Sequence, residues 1–132
     1  MKLRDLDDLT GDDDDSTFAW GSWHLEWYLD GEFIALSVLD ICPTSVYSQY
    51  FLYDPKFRPL QIGIVSAMHE LDWVKKLSEK IPTMKWYWLG WYTPIMQNMR
   101  YKKDFTQQEI MCPETLRYVP FTQEIVDQID TG

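Results

Sequence analysis

An α+β fold, a mixed sheet with one principal amphipathic helix, is what this 132-residue sequence predicts. Three observations predict it. Residues 23–53 are rich in aromatic and β-branched side chains and are interrupted only at turn chemistry. Residues 60–80 switch to apolar side chains spaced three and four apart. After Pro82 the chain returns to a short aromatic run of strand character.

The elements follow in order. Trp23–Leu29 and Glu32–Ile41 read as two strands around Asp30-Gly31, a strong hairpin signal because both residues tolerate a positive φ. Ser45–Tyr53 reads as a third strand after the Cys42-Pro43 break, and Asp54-Pro55 and Arg58-Pro59 mark turns. Leu60–Lys80 reads as a helix that buries Leu60, Ile64, Met68, Leu71, Val74 and Leu77. Glu70, Asp72, Lys75, Lys76 and Glu79 fall on its other faces. Met84–Tyr92 has aromatics on both sides of the alternation, the pattern of a central strand covered on both faces. Thr93–Asp104 is an irregular basic segment, and Phe105–Ile110 a short helical or turn element. Thr115–Pro120 reads as a last strand and Glu124–Ile129 as a marginal helix.

The net charge of −9 is unevenly spread. Residues 1–17 carry −5 and residues 121–132 carry −3, which leaves −1 on everything between. The division expected is an acidic, disordered leader over 1–17, a domain over 18–121 and a tail over 122–132. The Asp12–Asp15 run reads as linker rather than metal site. A near-neutral middle neither predicts nor excludes contact with one end of an RNA, but argues against clamping a long duplex. No apolar run has the length of a membrane span and the first residues have no secretory h-region, so a cytoplasmic protein without a membrane partner is expected. Cys42 and Cys112 are expected to be free thiols, and no spacing of ligands points to a metal.

No nucleotide loop, zinc-protease helix or nucleophile elbow is present. His24 and His69 read as structural and surface histidines. Asp40 stands inside an apolar strand run, where a carboxylate costs free energy unless partnered. It is either paired structurally or held for function. Arg100, Lys102 and Lys103 form a basic cluster, either a solvated loop or a strip for phosphate or carboxylate. Glu114 either hydrogen-bonds locally or faces a pocket as an acid/base group. The aromatics Trp86, Tyr87, Trp88, Trp91 and Tyr92 read as core, with an exposed ring able to stack a base.

A run of blocks goes further. Gly21-Ser22-Trp23-His24, Leu29-Asp30-Gly31, Val38-Leu39-Asp40-Ile41, Val46-Tyr47 and Tyr53-Asp54-Pro55 are followed by the Leu60–Leu71 helix and the Tyr87–Tyr92 strand. Met99-Arg100-Tyr101-Lys102 and Cys112-Pro113-Glu114-Thr115 close the series. In that order, over about residues 18–121, they resemble the arginyl-tRNA–protein transferase family. The resemblance implies a GNAT-like acyltransferase fold and transfer of arginine from Arg-tRNA to the N-terminal α-amine of proteins starting with Asp, Glu or oxidised Cys, in the N-degron pathway. It implies Asp40 and Glu114 as catalytic residues and Tyr53, Arg100 and Lys102 as substrate-binding ones. Its partners are aminoacyl-tRNA and acidic N-termini, with no cofactor in this chain. Three features depart from the family. Nothing matches its N-terminal cysteine cluster, Lys103 stands where a glycine is common, and residues 92–98 lack the Cys-Pro of eukaryotic members. Two other readings stay open at this point: a leucyl-tRNA–protein transferase, and a non-catalytic remnant that binds acidic N-termini.

Overall fold

A computed structural model describes residues 20–131, so the leader and its aspartate run lie outside the described residues. The chain divides into two compact units, one through Gly90 and one from Trp91 onward, each taken here by itself.

The first unit holds β1 (Gly21–Leu29), β2 (Glu32–Cys42), β3 (Ser45–Tyr53), a 3-10 helix (Pro55–Leu60), α1 (Ile62–Lys80) and β4 (Trp86–Trp88). The sheet order is β1-β2-β3-β4, antiparallel except for the parallel β3–β4 pair, which makes it the mixed sheet expected. The Asp30-Gly31 hairpin forms with both residues at positive φ, 49° and 83°, the backbone that matches the twist of the flanking strands. One face of the sheet is sealed by α1. Leu39, Ile41 and Val46 from the strands meet Val74, Leu77 and Met84 in one cluster, while Trp27, Ala35 and Ile62 form another. Full burial of an aliphatic side chain of this size contributes roughly 1.5–3 kcal/mol, so these clusters fix the sandwich.

Helix α1 starts two residues later than the spacing predicts, because Pro59 belongs to the preceding 3-10 helix and Gln61 turns left-handed at φ 51°. Its buried face is also rotated. Val74 and Leu77 are inside, Ile64 and Leu71 are half-buried, and Leu60 and Met68 are exposed. Ile62, Ser66, Ala67 and Glu70 take the inner positions instead. The small Ser66 and Ala67 face the sheet, and the Ser66 hydroxyl is returned to the Gly63 carbonyl at 2.9 Å. Glu70, placed on a solvent face by its charge, is 1% exposed.

The aromatic run after Pro82 is corrected more strongly. β4 is three residues long and lies at the end of the sheet order, not at its centre. Lys85 and Trp86 both donate their N–H groups to the Thr44 carbonyl, and Gly90 turns at φ 72°, so ladder geometry lasts only from Trp86 to Trp88.

The second unit holds a 3-10 helix (Gln97–Asp104), β5 (Glu109–Met111), β6 (Tyr118–Pro120) and α2 (Gln123–Thr131). The expected helical element over Phe105–Ile110 is a turn running into β5, and the expected strand over Thr115–Pro120 shortens to β6. Leu116 at φ 55° and the bonds Leu116 N–H to Cys112 O and Cys112 N–H to Arg117 O close a turn there. Among the described residues β5 and β6 pair only with each other. Residues 123–131 form a full helix with Val126 buried. Its Asp130 accepts from the Tyr92 hydroxyl at 2.9 Å and pairs with Lys103 at 3.2 Å.

The rotated face of α1 separates two substitutions. Leu77→Ala is expected to lower unfolding free energy by about 2–5 kcal/mol, as for a buried leucine. Met68→Ala is expected to stay within about 0.5 kcal/mol, as at an exposed position. Denaturant titration of both variants checks the assignment, and equal losses would contradict it.

Candidate functional site

The alternation of β2 sends Ala35, Ser37, Leu39 and Ile41 to α1 and leaves Leu36, Val38 and Asp40 on the outer face. Asp40 is therefore half-buried on the outer face, and its partners come from both neighbouring strands. Ser22 of β1, its cross-strand partner, donates a short hydroxyl hydrogen bond to one carboxylate oxygen. Gln49 of β3 donates its side-chain amide to the other at 2.9 Å. Gln49 reaches it because β3 carries a bulge there: Leu39 faces Ser48, whereas Val38 faces Tyr50, leaving Gln49 as the extra residue. A bulge of this kind re-aims a side chain. Asp40 is thus held by two neutral donors, which fixes its orientation, and among the described residues it forms no ion pair.

The outer face around it is aromatic and acidic. Tyr47 stacks on Trp88 with ring centres 5.4 Å apart, and Tyr28 meets Phe33 edge-on at 5.7 Å. Tyr50, Leu52 and Trp86 are 66%, 58% and 49% exposed, so the face is open as well as apolar. Residues 20–53 include Glu26, Asp30, Glu32 and Asp40 and not one lysine or arginine.

Tyr53 lies elsewhere. Its register partner is Ala35, on the α1 side, and its ring meets Phe51 at 5.6 Å. Asp40 and Tyr53 therefore belong to opposite faces of the sheet and do not form one wall. The α1 side holds a polar group that sequence reasoning missed. Glu70 accepts from Ser37 Oγ at 2.6 Å and from the Tyr87 hydroxyl at 2.6 Å, and Ser37 in turn accepts from Trp27 Nε1 at 3.0 Å. The one available signal was Ser37 itself, a hydroxyl at an inward position of an apolar strand, which needs a buried partner.

In the second unit the basic cluster is shaped by its own upstream segment. Arg100 Nε donates to the Pro94 carbonyl at 2.8 Å, and Lys102 Nζ to the Trp91 carbonyl at 2.8 Å. Burial holds the Lys102 ammonium below its usual pKa, so this side chain is no freely solvated loop lysine. Arg100 is exposed, and its charge also acts on the nearby Asp130 carboxylate. Lys103 is engaged with Asp130. Glu114 sits in the exposed β5–β6 turn beside Cys112, whose thiol is held below its usual pKa. The cause is donation from the Thr115 hydroxyl first, then from the Thr115 and Glu114 backbones, against smaller opposing effects of desolvation and of the Glu114 charge. Among the described residues no cluster of His, Cys, Asp and Glu fits a metal ion, and no helix is long and apolar enough to cross a membrane.

An oriented carboxylate on the open sheet face of the first unit suits a cationic group, and the exposed guanidinium of the second unit suits an anionic one. Comparison with known proteins supplies the class. The profile of the family described as "Arginine-tRNA-protein transferase, C terminus" matches residues 9–112, a stretch that contains Asp40, Tyr53, Arg100 and Lys102 and stops short of Glu114. Arginyl-tRNA–protein transferase 1 of Dictyostelium discoideum is 40% identical over 107 residues, which are 81% of this chain and 17% of that protein. Arginyl-tRNA–protein transferase 1 of Drosophila melanogaster is 37% identical over 117 residues, 89% of this chain and 24% of that protein. An aspartate/glutamate leucyltransferase of Campylobacter jejuni is 27% identical over 89 residues, 67% of this chain and 35% of that protein. The chain belongs to the arginyl-tRNA–protein transferase family, and it spans about a fifth of the length of the first two relatives.

The turn around Cys112 gives a chemical test of this geometry. Alkylation of Cys112 by iodoacetamide is expected to rise with pH around a midpoint below the ordinary thiol value, because the thiolate is the reacting form. Thr115→Val should move that midpoint upward, since it removes the first of the stabilising donors. Mass-spectrometric rates across pH decide it, and an unmoved midpoint would show that the hydroxyl does not hold the thiol.

Proposed function

We propose that this chain is the C-terminal, catalytic part of an enzyme that moves arginine from Arg-tRNA to the N-terminal α-amine of proteins beginning with Asp, Glu or oxidised Cys, in the cytoplasmic N-degron pathway. Family membership over most of the chain, with arginyl-transferring relatives at 37–40% identity, carries the reading. Acidic acceptors draw support from the Campylobacter relative, whose name specifies aspartate and glutamate. That name also keeps leucine as a second donor to test.

The chemistry asks little of the protein. A neutral α-amine attacks the aminoacyl ester carbonyl, the C–N bond forms, the ester C–O bond to the terminal ribose breaks, and the amine proton ends on the ribose oxygen. The protein must hold the two reactants together and receive a cation and an anion. An α-amine with a pKa of about 7.7–8.0 is already partly neutral at cellular pH. Asp40 then orients the cationic donor group or relays the amine proton, a role its two neutral donors support. Arg100 and Lys102 attract the acceptor carboxylate or the terminal phosphates of the tRNA. In this reading Tyr53 in the first unit and Glu114 in the second are further candidates for contact with substrate. Arg-tRNA is a co-substrate and this chain holds no resident cofactor in the reading. The arrangement of an antiparallel meander, a covering helix and a parallel strand supports a GNAT-like acyltransferase.

Transfer of labelled arginine or leucine from charged tRNA to a peptide beginning with Asp tests this, with the remaining part of a family member supplied in trans. Arginine transfer is expected, and label from Leu-tRNA alone would assign the leucyl reading instead. Lys102→Ala is expected to lower transfer at least tenfold, since removing one partner of a desolvated charge contact costs roughly 2–5 kcal/mol. Asp40→Asn keeps the shape and removes the charge, and should lower transfer by a similar factor. Wild-type transfer by both variants would remove these residues from the site and leave the family assignment standing.

A further inference from the structure

We infer that the acceptor polypeptide binds as an added strand along the outer edge of β3, Ser48–Tyr53, with its N-terminal amine at the Gln49–Asp40 end. The inference rests on the transferase reading and says how that site takes its second substrate.

The edge itself is the first observation. β3 pairs with β2 along nearly its whole length, but with β4 only from Ser45 to Tyr47. Beyond Tyr47, no other segment among the described residues hydrogen-bonds to the backbone of β3 on that side. Alternate residues of a strand turn both N–H and C=O to one side, so this stretch presents a row of unfilled donors and acceptors.

Its sequence is the second. Exposed edges are ordinarily blunted with charge or proline, because an unfilled ladder recruits other strands. Ser48-Gln49-Tyr50-Phe51-Leu52-Tyr53 has neither. Tyr50, Leu52 and Tyr53 are 66%, 58% and 37% exposed, and their alternation offers side-chain contacts on both sides of an added strand. The bulge at Gln49 ends the regular ladder at the point where the Gln49 amide is turned onto Asp40.

Charge names the occupant. The edge strand carries no charge of its own, Gln49 holds the Asp40 carboxylate beside one end, and Lys56 past the other end is paired with Glu32 and Asp54, so the Gln49 end favours a cation over a phosphate. An acceptor N-terminus is an extended chain that ends in an α-ammonium group. Laid on β3, its backbone fills the ladder while the ammonium is directed to the Asp40 carboxylate that Gln49 holds. Main-chain bonding also leaves the acceptor sequence beyond the first residue free to vary, as an enzyme acting on many proteins requires.

Two measurements on the full chain decide it. Amide hydrogen exchange of Ser48–Tyr53 is followed with a short peptide beginning with Asp, and separately with an RNA hairpin that mimics a tRNA acceptor end. The peptide is then N-methylated one residue at a time and its affinity and transfer are compared. The expected result is slowed exchange at alternate β3 amides with the peptide, and a loss of roughly tenfold in affinity when alternate peptide amides, not their neighbours, are methylated. A peptide that accepts arginine while the β3 amides stay unprotected, or that tolerates methylation at every position, overturns the inference and leaves the transferase standing. Protection of the same amides by the RNA in place of the peptide overturns it as well. Protection by the peptide, with the alternating methylation pattern but no transfer in the complemented assay, supports the strand site and overturns the transferase reading.

Discussion

Glu70 is a carboxylate almost wholly removed from water, and its two oxygens are occupied by hydroxyls from two different strands, Ser37 of β2 and Tyr87 of β4. Leaving a buried polar group unsatisfied costs about 1–3 kcal/mol and more when it is charged, so α1 has one rotation about its axis that the sheet accepts. That rotation puts Ile62, Val74 and Leu77 against the strands and turns Met68 outward. It also ties β4, whose ladder with β3 is only three residues long, to the helix crossing beneath it. Trp27 extends the chain of donors to β1, so one acid side chain connects four elements of the first unit.

With one face committed to that network, the other is free to differ. The outer face has open aromatics and the oriented Asp40 carboxylate, and the two functions never compete for the same side chains because the strand alternation separates them. The separation also explains why Asp40 and Tyr53, both picked out as site residues, do not meet. They lie on adjacent strands but belong to faces with different tasks.

Much of the first unit was legible in the sequence. The three meander strands and their Asp30-Gly31 turn come out within a residue or two of their observed limits, since alternation and turn chemistry are local properties. The phase of α1 was not legible. Apolar periodicity counts Glu70 as a solvent residue, and only the distant Ser37 and Tyr87 make it an interior one. The aromatic run from Met84 to Tyr92 looked like a central strand because hydrophobic rings on both sides resemble a doubly covered one. The observed strand is cut short by Gly90 and by a shared carbonyl at Thr44, neither of which side-chain pattern reports. Of the site, the sequence singled out Asp40 and Lys102 as polar groups worth explaining. It took the position of Asp40 as inward, whereas the strand sets it on the outer face; for Lys102 it left a solvated loop and an anion strip open, and the side chain is partly buried.

The lack of basic residues in the meander has a consequence outside binding. From Arg4 to Lys56 there is no lysine and no arginine, so trypsin finds no cleavage site across all three long strands, folded or unfolded. Digestion therefore releases the meander as one long peptide. Acetyl groups and ubiquitin, which need a lysine ammonium, have no attachment point between those two positions. The acidic character of this surface is thus beyond the reach of the common lysine modifications, and any such regulation of this stretch of the family fold must act from residues outside it.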